Sequence, residues 1–389
     1  MCEKIFMLFC YLLIPKYLQC CNIFRLEIFG KNMKLLILNL IFLAAMCSCT
    51  SRNDGDFTHI ESNGVYYWKT VLELSPDDYR FLNHHHVDRI YLRMFDVTAE
   101  NGGSYCTTFE KVVPNASMRV QDGYDTGIVE CFNSKRIVPV VYITIEALKT
   151  AKGCEGELAS RIVERVRRMC SCYEFNNVEG LQLDCDWTVS TEKSFFALCD
   201  SARVQIARKK LQWSLSSTIR LHQLARKAPP VDYGVLMVYN TGNFRDPDAK
   251  NSIISIDDVE KYLSRLDDYP LHLDVAYPTY SWQLLFRKRQ FMGLLNGVNV
   301  ADTARFATFG TNSHIALCDI IHKDIVIRKG DIVRTEKSVY DEVQAVKTAI
   351  EHRLTKRPHS NILYHLDQQN LSKYTDDEIA KIYSIDSNN

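Results

Sequence analysis

Three features of the sequence predict an α/β fold, a (β/α)8 barrel of the TIM type with an insertion after its seventh strand. Eight short apolar segments recur along the 389 residues, and helix-like segments lie between most of them. Strands alternating with helices build parallel βαβ units, and eight such strands close into a barrel. The third feature is composition: 46% hydrophobic and 24% charged is ample for one large core.

Before the barrel, Met33-Lys34 is followed by an apolar run from Leu35 to Met46 and then by Cys47-Ser48-Cys49-Thr50. A basic residue, about a dozen apolar residues and then small ones make a secretory signal, too short to span a bilayer. The run resembles a bacterial lipoprotein signal, with Met46-Cys47-Ser48-Cys49 as the lipobox, Cys49 as the lipidation site and Cys47 as the alternative. On that reading Met33 is the true start and residues 1–32 are an upstream over-extension of the reading frame. A single odd membrane-anchored leader built from residues 5–14 and 35–46 is the competing account. The expected organisation is a leader over 1–48, a polar tether over 49–57 and a barrel over 58–389. It implies an exported monomer held to the membrane of the cell envelope, periplasmic or at the surface, by a lipid anchor.

The expected barrel strands are 64–69, 89–97, 137–145, 180–187, 211–218, 233–240, 271–277 and 361–366. Helical patterns cover 155–170, 194–209, 256–266, 337–353 and 376–384. The interval of about 283–335 breaks the rhythm and carries hairpin-like pieces, such as 324–335 around Lys329-Gly330. It falls at the C-terminal rim, where barrel enzymes build substrate walls.

The formal net charge is +0, and no basic stripe or RNA-binding motif occurs, so nucleic acid is not an expected partner. The cysteines after Cys49 match no zinc-module spacing, and no metal or cofactor is expected. Cys185 reads as a small core residue. The triplet His84-His85-His86 reads as a polar loop, because adjacent residues on one element do not converge on an ion. Arg287-Lys288-Arg289 reads as a solvated turn.

The stretch from Val178 to Thr188 carries the chemistry. Its period of two puts Leu181, Leu183 and Cys185 on one face and Gln182, Asp184 and Asp186 on the other. An ordinary buried strand has no use for such a polar face. Aspartates at i and i+2 have Cα atoms roughly 7 Å apart. At an effective dielectric of about 20 their charges repel by about 2.4 kcal/mol, roughly 1.7 pKa units, enough to favour one protonated carboxyl beside one charged neighbour. Such a pair suits general acid work, and capping of a strand-end loop is the plainer alternative.

Several strand ends together resemble glycoside hydrolase family 18, the chitinase and endo-N-acetylglucosaminidase family, whose fold is a (β/α)8 barrel. Its fourth-strand signature Asp-Gly-x-Asp-x-Asp-x-Glu aligns with Glu179-Gly180-Leu181-Gln182-Leu183-Asp184-Cys185-Asp186. Met237-Val238-Tyr239-Asn240 is similar to the sixth-strand motif, and Val275-Ala276-Tyr277-Pro278-Thr279-Tyr280-Ser281-Trp282 to the seventh. Gly64-Val65-Tyr66-Tyr67-Trp68 fits the aromatic first strand.

The resemblance implies a glycan partner and hydrolysis assisted by the substrate's acetamido group. Asp184 would orient and charge-stabilise that group, Asp186 would be the acid, and Tyr239 and Asn240 would hold the acetamido. Gln182 would line the site beside them, while Trp187, Tyr277, Tyr280 and Trp282 would contact sugar rings. Asp186 stands where the family has glutamate, so its carboxyl sits roughly 1.5 Å further back. Glu179 and Gln182 replace the first two signature aspartates. The third-strand Ser-x-Gly-Gly is absent from Tyr142-Ile143-Thr144-Ile145-Glu146, and Tyr364-His365-Leu366 replaces the eighth-strand tryptophan. A glycan-binding protein that lost the chemistry is therefore the alternative, and a purely structural envelope component the third.

From the residues alone, Arg220 and His222 could enter the cleft after the fifth strand, or Arg220 could pair with Asp184 or Asp186. Asp96, Glu146 and Asp367 end strands and read as helix caps. Asp274, inside its strand, reads as a buried hydrogen-bonding group.

Overall fold

The computed structural model describes residues 60–99, 112–120, 126–354 and 357–385, all within the unit Thr58–Asn389. The leader, Cys49, the tether and Cys106 lie outside the described residues. In chain order the first half runs β1 (Asn63–Tyr67), β2 (Val71–Leu72), α1 (Pro76–His84), β3 (Val87–Ala99), β4 (Val112–Asn115), β5 (Arg119–Val120), α2 (Thr126–Asn133), β6 (Arg136–Ile143), α3 (Ile145–Thr150), α4 (Glu155–Cys172) and β7 (Gly180–Asp184). There follow α5 (Glu192–Arg208), β8 (Ser214–Arg220), β9 (Tyr233–Met237), α6 (Ile256–Leu263) and β10 (Leu273–Pro278). The insertion contributes β11 to β17, and the chain closes with α7 (Tyr340–Leu354), β18 (Asn361–Tyr364), α8 (Gln368–Leu371) and α9 (Asp376–Tyr383).

Eight parallel strands lie in the order β1-β18-β10-β9-β8-β7-β6-β3, and β3 pairs back to β1 to close the cylinder. Every one of them falls on an expected segment. The fourth and sixth end earlier than the hydrophobic pattern suggested, at Asp184 and Met237, because the next residues leave the ladder to form rim loops. Gly180 opens the fourth strand where only glycine fits: a Cβ there would lie 2.7 Å from the Ser214 carbonyl oxygen.

The two faces of each strand part as a period of two requires. Leu181 and Leu183 on β7, Cys185 just past its end, and Leu273, Val275 and Tyr277 on β10 join the core between barrel and helices. Burial there pushes the Cys185 thiol well above its ordinary range. The barrel interior is polar and aromatic instead. The Tyr66 hydroxyl donates to Gln182 Oε1 at 2.7 Å, Gln182 Nε2 reaches Ser216 Oγ at 3.4 Å, and Tyr66 stacks on Tyr91 with centroids 4.8 Å apart. Nearer the strand starts, Arg89 Nε donates to Glu179 at 2.9 Å, and the buried Asp274 accepts from the Ser360 amide at 2.8 Å. A carboxylate with no exposure persists only with such partners.

The insertion folds as β11 (Ser281–Arg287), β12 (Gln290–Leu295), β13 (Phe306–Thr308), β14 (Ser313–Ala316), β15 (Ile320–His322), β16 (Ile325–Ile327) and β17 (Ile332–Lys337). Five of these form an antiparallel sheet, β12-β11-β17-β14-β13, over a small core that includes Leu285, Phe306 and Val333. The expected 324–335 hairpin does not form. β16 pairs with β15, while β17 pairs with β11 and β14. The reason is Asp331, which accepts from the Arg328 amide at 2.8 Å and pairs with Arg287 at 2.7 Å, turning the chain into the other sheet at Gly330. Lys288 and Arg289, both exposed with positive φ, make the two-residue turn from β11 to β12.

Candidate functional site

Asp184 ends β7 on the inner face and is 2% exposed. Its Oδ1 accepts from Thr218 Oγ1 at 2.6 Å and from Arg220 Nη2 at 2.9 Å, both carried by the neighbouring β8. Asp186 lies two residues further on, past the end of the ladder, and its side chain is 56% exposed with His222 Nε2 3.4 Å from Oδ1. The two aspartates therefore share a face, as their spacing predicts, in unlike environments. Arg220 supplies the countercharge for Asp184, so the repulsion expected between the carboxylates is offset.

The backbone around this pair is tied together. Gln223 Oε1 accepts from the Arg220 amide at 2.8 Å, and Gln223 Nε2 donates to the Trp187 carbonyl at 2.9 Å, joining the loops after β7 and β8. The Arg220 guanidinium lies 5.9 Å from the centroid of the Tyr239 ring. Tyr239 in turn stacks on Tyr364, with centroids 4.6 Å apart and planes at 28°. Burial pushes both phenols well above their ordinary pKa, although Arg220 opposes the shift. Both are neutral hydrogen-bond donors at physiological pH.

Asn240 adopts φ +53°, a left-handed conformation that asparagine accepts more readily than most residues, and this turns the chain at the rim. Its Oδ1 accepts from the Tyr280 hydroxyl at 2.6 Å. Tyr280 packs edge-on to Trp282 at 5.7 Å, and Trp282 Nε1 donates to Glu336 Oε2 at 2.7 Å. Glu336, 1% exposed, also accepts from the Ser252 amide at 3.1 Å and pairs with Arg334 at 2.8 Å. The insertion thereby holds both the aromatic wall and the loop after β9.

Two depressions meet at Tyr239 and Asn240. One, of about 320 Å³, is lined by Asp186, Arg220, His222, Tyr142 and Thr241 besides the shared pair. The other, of about 610 Å³, is walled by Tyr280, Trp282 and Tyr364, with Gln283 and Asp367 among its polar groups. Joined at this pair, they form a trough at the C-terminal ends of the strands, with the half-exposed Asp186 carboxylate beside His222 on one side and aromatic faces on the other. Such a concave, mixed surface suits an amphipathic ligand with polar edges and apolar faces.

Some expected contacts are corrected. Trp187 is fully buried, stacked on Phe195 at 6.2 Å and edge-on to Phe196 at 5.5 Å. It shares the parity of Leu181, Leu183 and Cys185, so it faces the helices and offers nothing to a sugar. Tyr277 is buried for the same reason, two residues on from Val275. Gln182 has the inward parity but lies a layer too deep, hydrogen-bonded inside the barrel with no exposure. Asp184 stands beneath the floor rather than in it. Of the strand-end acids, Asp367 caps α8, whereas Asp96 pairs with Arg93 at 2.6 Å. Glu146 lies exposed in the first turn of α3, whose cap is Thr144.

Tyr364, Tyr142, Thr241 and Glu336 were not singled out as site residues. Inward parity at a strand end was a signal available for Tyr364 and Tyr142. Glu336 is far in sequence from everything it holds and had no such signal. Among the described residues, the one group of histidine and acidic side chains spaced to hold a metal lies outside both depressions, at the end of α1.

No protein-family model matches the sequence, and no curated protein does. Among solved structures, the chain is similar to the Bacillus cereus spore cortex-lytic enzyme SleL, with a TM-score of 0.49, 11% identity, and 85% of this chain and 76% of that one covered. It is similar to a chitinase from Chromobacterium violaceum, with a TM-score of 0.49, 13% identity and coverage of 83% and 98%. It is likewise similar to a glycoside hydrolase family 18 N-acetylglucosaminidase from Paenibacillus barengoltzii, with a TM-score of 0.46, 10% identity and coverage of 83% and 100%.

Proposed function

We propose that the protein binds a glycan in the trough at the C-terminal rim of the barrel and hydrolyses a glycosidic bond there. The observation that carries this reading is the joint placement of Asp186, Tyr239 and Asn240 around one depression that continues into an aromatic wall. Asp186 protonates the leaving oxygen. Tyr239, a neutral donor, and Asn240 hold the acetamido group whose carbonyl oxygen attacks the anomeric carbon. Tyr280 and Trp282 take the apolar faces of neighbouring sugar rings. Asp184 acts through Arg220, fixing the guanidinium beneath Tyr239.

The test is turnover of chitin-type, peptidoglycan-derived and N-glycan substrates by the wild type, Asp186→Asn and Asp184→Asn. A lost general acid costs about 10²- to 10⁴-fold in rate. Equal turnover by all three proteins would dispose of the catalytic assignment.

A second reading, a glycan-binding protein without turnover, is favoured by the engagement of Asp184 with Arg220 and by the short, solvent-facing Asp186. Calorimetry with oligosaccharides, paired with product analysis, separates the two. Binding with no cleaved product supports the second.

We also propose that the protein is an envelope lipoprotein anchored through Cys49, on the support of the apolar run and small residues that precede it. Metabolic labelling with a fatty acid should mark the wild type and leave Cys49→Ala unlabelled. Label retained by that variant points to Cys47.

A further inference from the structure

The histidine triplet does more than its sequence suggested. Adjacent residues on one helix diverge, but α1 ends at His84 and His85 is its C-cap, with φ −92° and ψ 13°. The two rings meet edge to face with centroids 4.8 Å apart. Asp376, the first residue of α9, reaches both: one carboxylate oxygen lies 3.7 Å from His84 Nε2 and the other 3.5 Å from His85 Nε2. One ligand atom from each residue lies within 4.8 Å of the other two.

We propose that His84, His85 and Asp376 form a site for a divalent late transition metal, Zn²⁺ being the ion that fits its donors, and that the metal clamps α1 to α9. Zinc bonds to imidazole nitrogen and carboxylate oxygen are about 2.0–2.1 Å, so the edge of a zinc tetrahedron is about 3.3 Å. Each imidazole lies within half an ångström of that distance from one oxygen of the Asp376 carboxylate, and with a single ligand atom from each residue the three fit within 4.8 Å. His85 is the rigid ligand, 6% exposed and packed against Phe81 at 4.7 Å and Tyr383 at 6.3 Å. His84 and Asp376 are exposed and free to close the remaining distance. Two nitrogens and one oxygen, with a further position open to water, form the donor set of a borderline-soft ion.

The position gives the metal a purpose independent of catalysis. The carbonyl of His85 accepts from Asn63 Nδ2 at 2.7 Å, and the Tyr383 hydroxyl of α9 donates to the Gly64 carbonyl at 3.1 Å. Asn63 and Gly64 begin β1, which pairs with β18 where the first and last strands of the barrel meet. A metal clamp between α1 and α9 secures that seam.

The experiment is calorimetric titration of the chelator-treated protein with Zn²⁺, with thermal unfolding followed in parallel. Wild type should bind one Zn²⁺ in this site and melt several degrees higher with it. His84→Ala and Asp376→Ala change exposed side chains and should fold normally, yet lose at least about tenfold in affinity along with the thermal shift. His86→Ala, outside the cluster, should behave as wild type. The proposal is overturned if wild type shows no heat or thermal shift at millimolar Zn²⁺, which would leave a proton-bridged ion pair only. It is equally overturned if His84→Ala and Asp376→Ala bind as wild type does, which would place the ion on other groups such as the exposed Cys172 and Cys318.

Discussion

Replacing Asp184 by asparagine removes, among the described residues, the one formal negative charge that the Arg220 guanidinium contacts within salt-bridge distance, at 2.9 Å. The Asp184 side chain is 3% exposed and that of Arg220 20%, so little water is available to replace the lost partner. Breaking a buried ion pair from one side costs about 3–5 kcal/mol. The partial exposure of Arg220 places this pair at the lower end, about 3 kcal/mol. The hydrogen bond from Thr218 survives in Asp184→Asn and is lost in Asp184→Ala, which adds about 1 kcal/mol. At about 2 °C per kcal/mol for a domain of this size, Asp184→Asn should lower the melting temperature by about 6 °C.

Urea unfolding of Asp184→Asn, Arg220→Met and the double variant completes the cycle. The double variant should be less destabilised than the sum of the single ones by about 2 kcal/mol, because it leaves no buried charge unpaired. Single-variant costs below about 1 kcal/mol, or additive costs, would show that the pair does not hold the site floor.

Three further outcomes follow from the geometry. Trp282→Ala should weaken oligosaccharide binding by about 2 kcal/mol, roughly 30-fold, whereas Trp187→Phe should leave affinity unchanged and Trp187→Ala should cost about 3–5 kcal/mol of stability; calorimetry and unfolding read the two effects separately. Glu336→Gln leaves Arg334, 2% exposed, without its ionic partner and weakens the hold on Trp282 and Ser252. A red shift in tryptophan emission and faster proteolysis of the insertion are expected, and unchanged emission would refute the anchor. The last concerns His359, 3.7 Å from Glu351, whose carboxylate together with the Arg357 carbonyl raises the imidazole pKa although burial opposes it. A raised folded-state pKa gives stability that is complete below the unfolded value of about 6.5 and is lost as pH rises through the folded value. The stability difference between wild type and His359→Gln should thus be largest near pH 5.5 and shrink above pH 7; a difference independent of pH would exclude the ion pair.

The barrel was legible because its signal is local and repeated. Each strand is a short, mainly apolar run, and where polar residues alternate with apolar ones, as in β7, parity assigns the face. Parity placed Leu183 outside and Asp184 inside correctly, and applied with equal strictness it would have assigned Trp187 and Tyr277 to the helix layer. The motif resemblance drew those two toward the cleft against their own alternation. Strand ends were less legible, since Asp186 and Tyr239 continue the pattern after the hydrogen-bonded ladder has stopped.

What the chain order alone determined is therefore the number of strands, their faces and the residues that gather at the rim, because all of these follow from periodicity within one element. Only the tertiary structure decided depth and partnership. Gln182, Asp184 and Asp186 share a face, yet one is walled in by Tyr66, one is bound by Arg220 and one meets solvent beside His222. The same holds for Glu336 beneath Trp282 and for His84, His85 and Asp376. Such partners are contributed by strands and helices tens to hundreds of residues apart, and closure of the barrel brings them together.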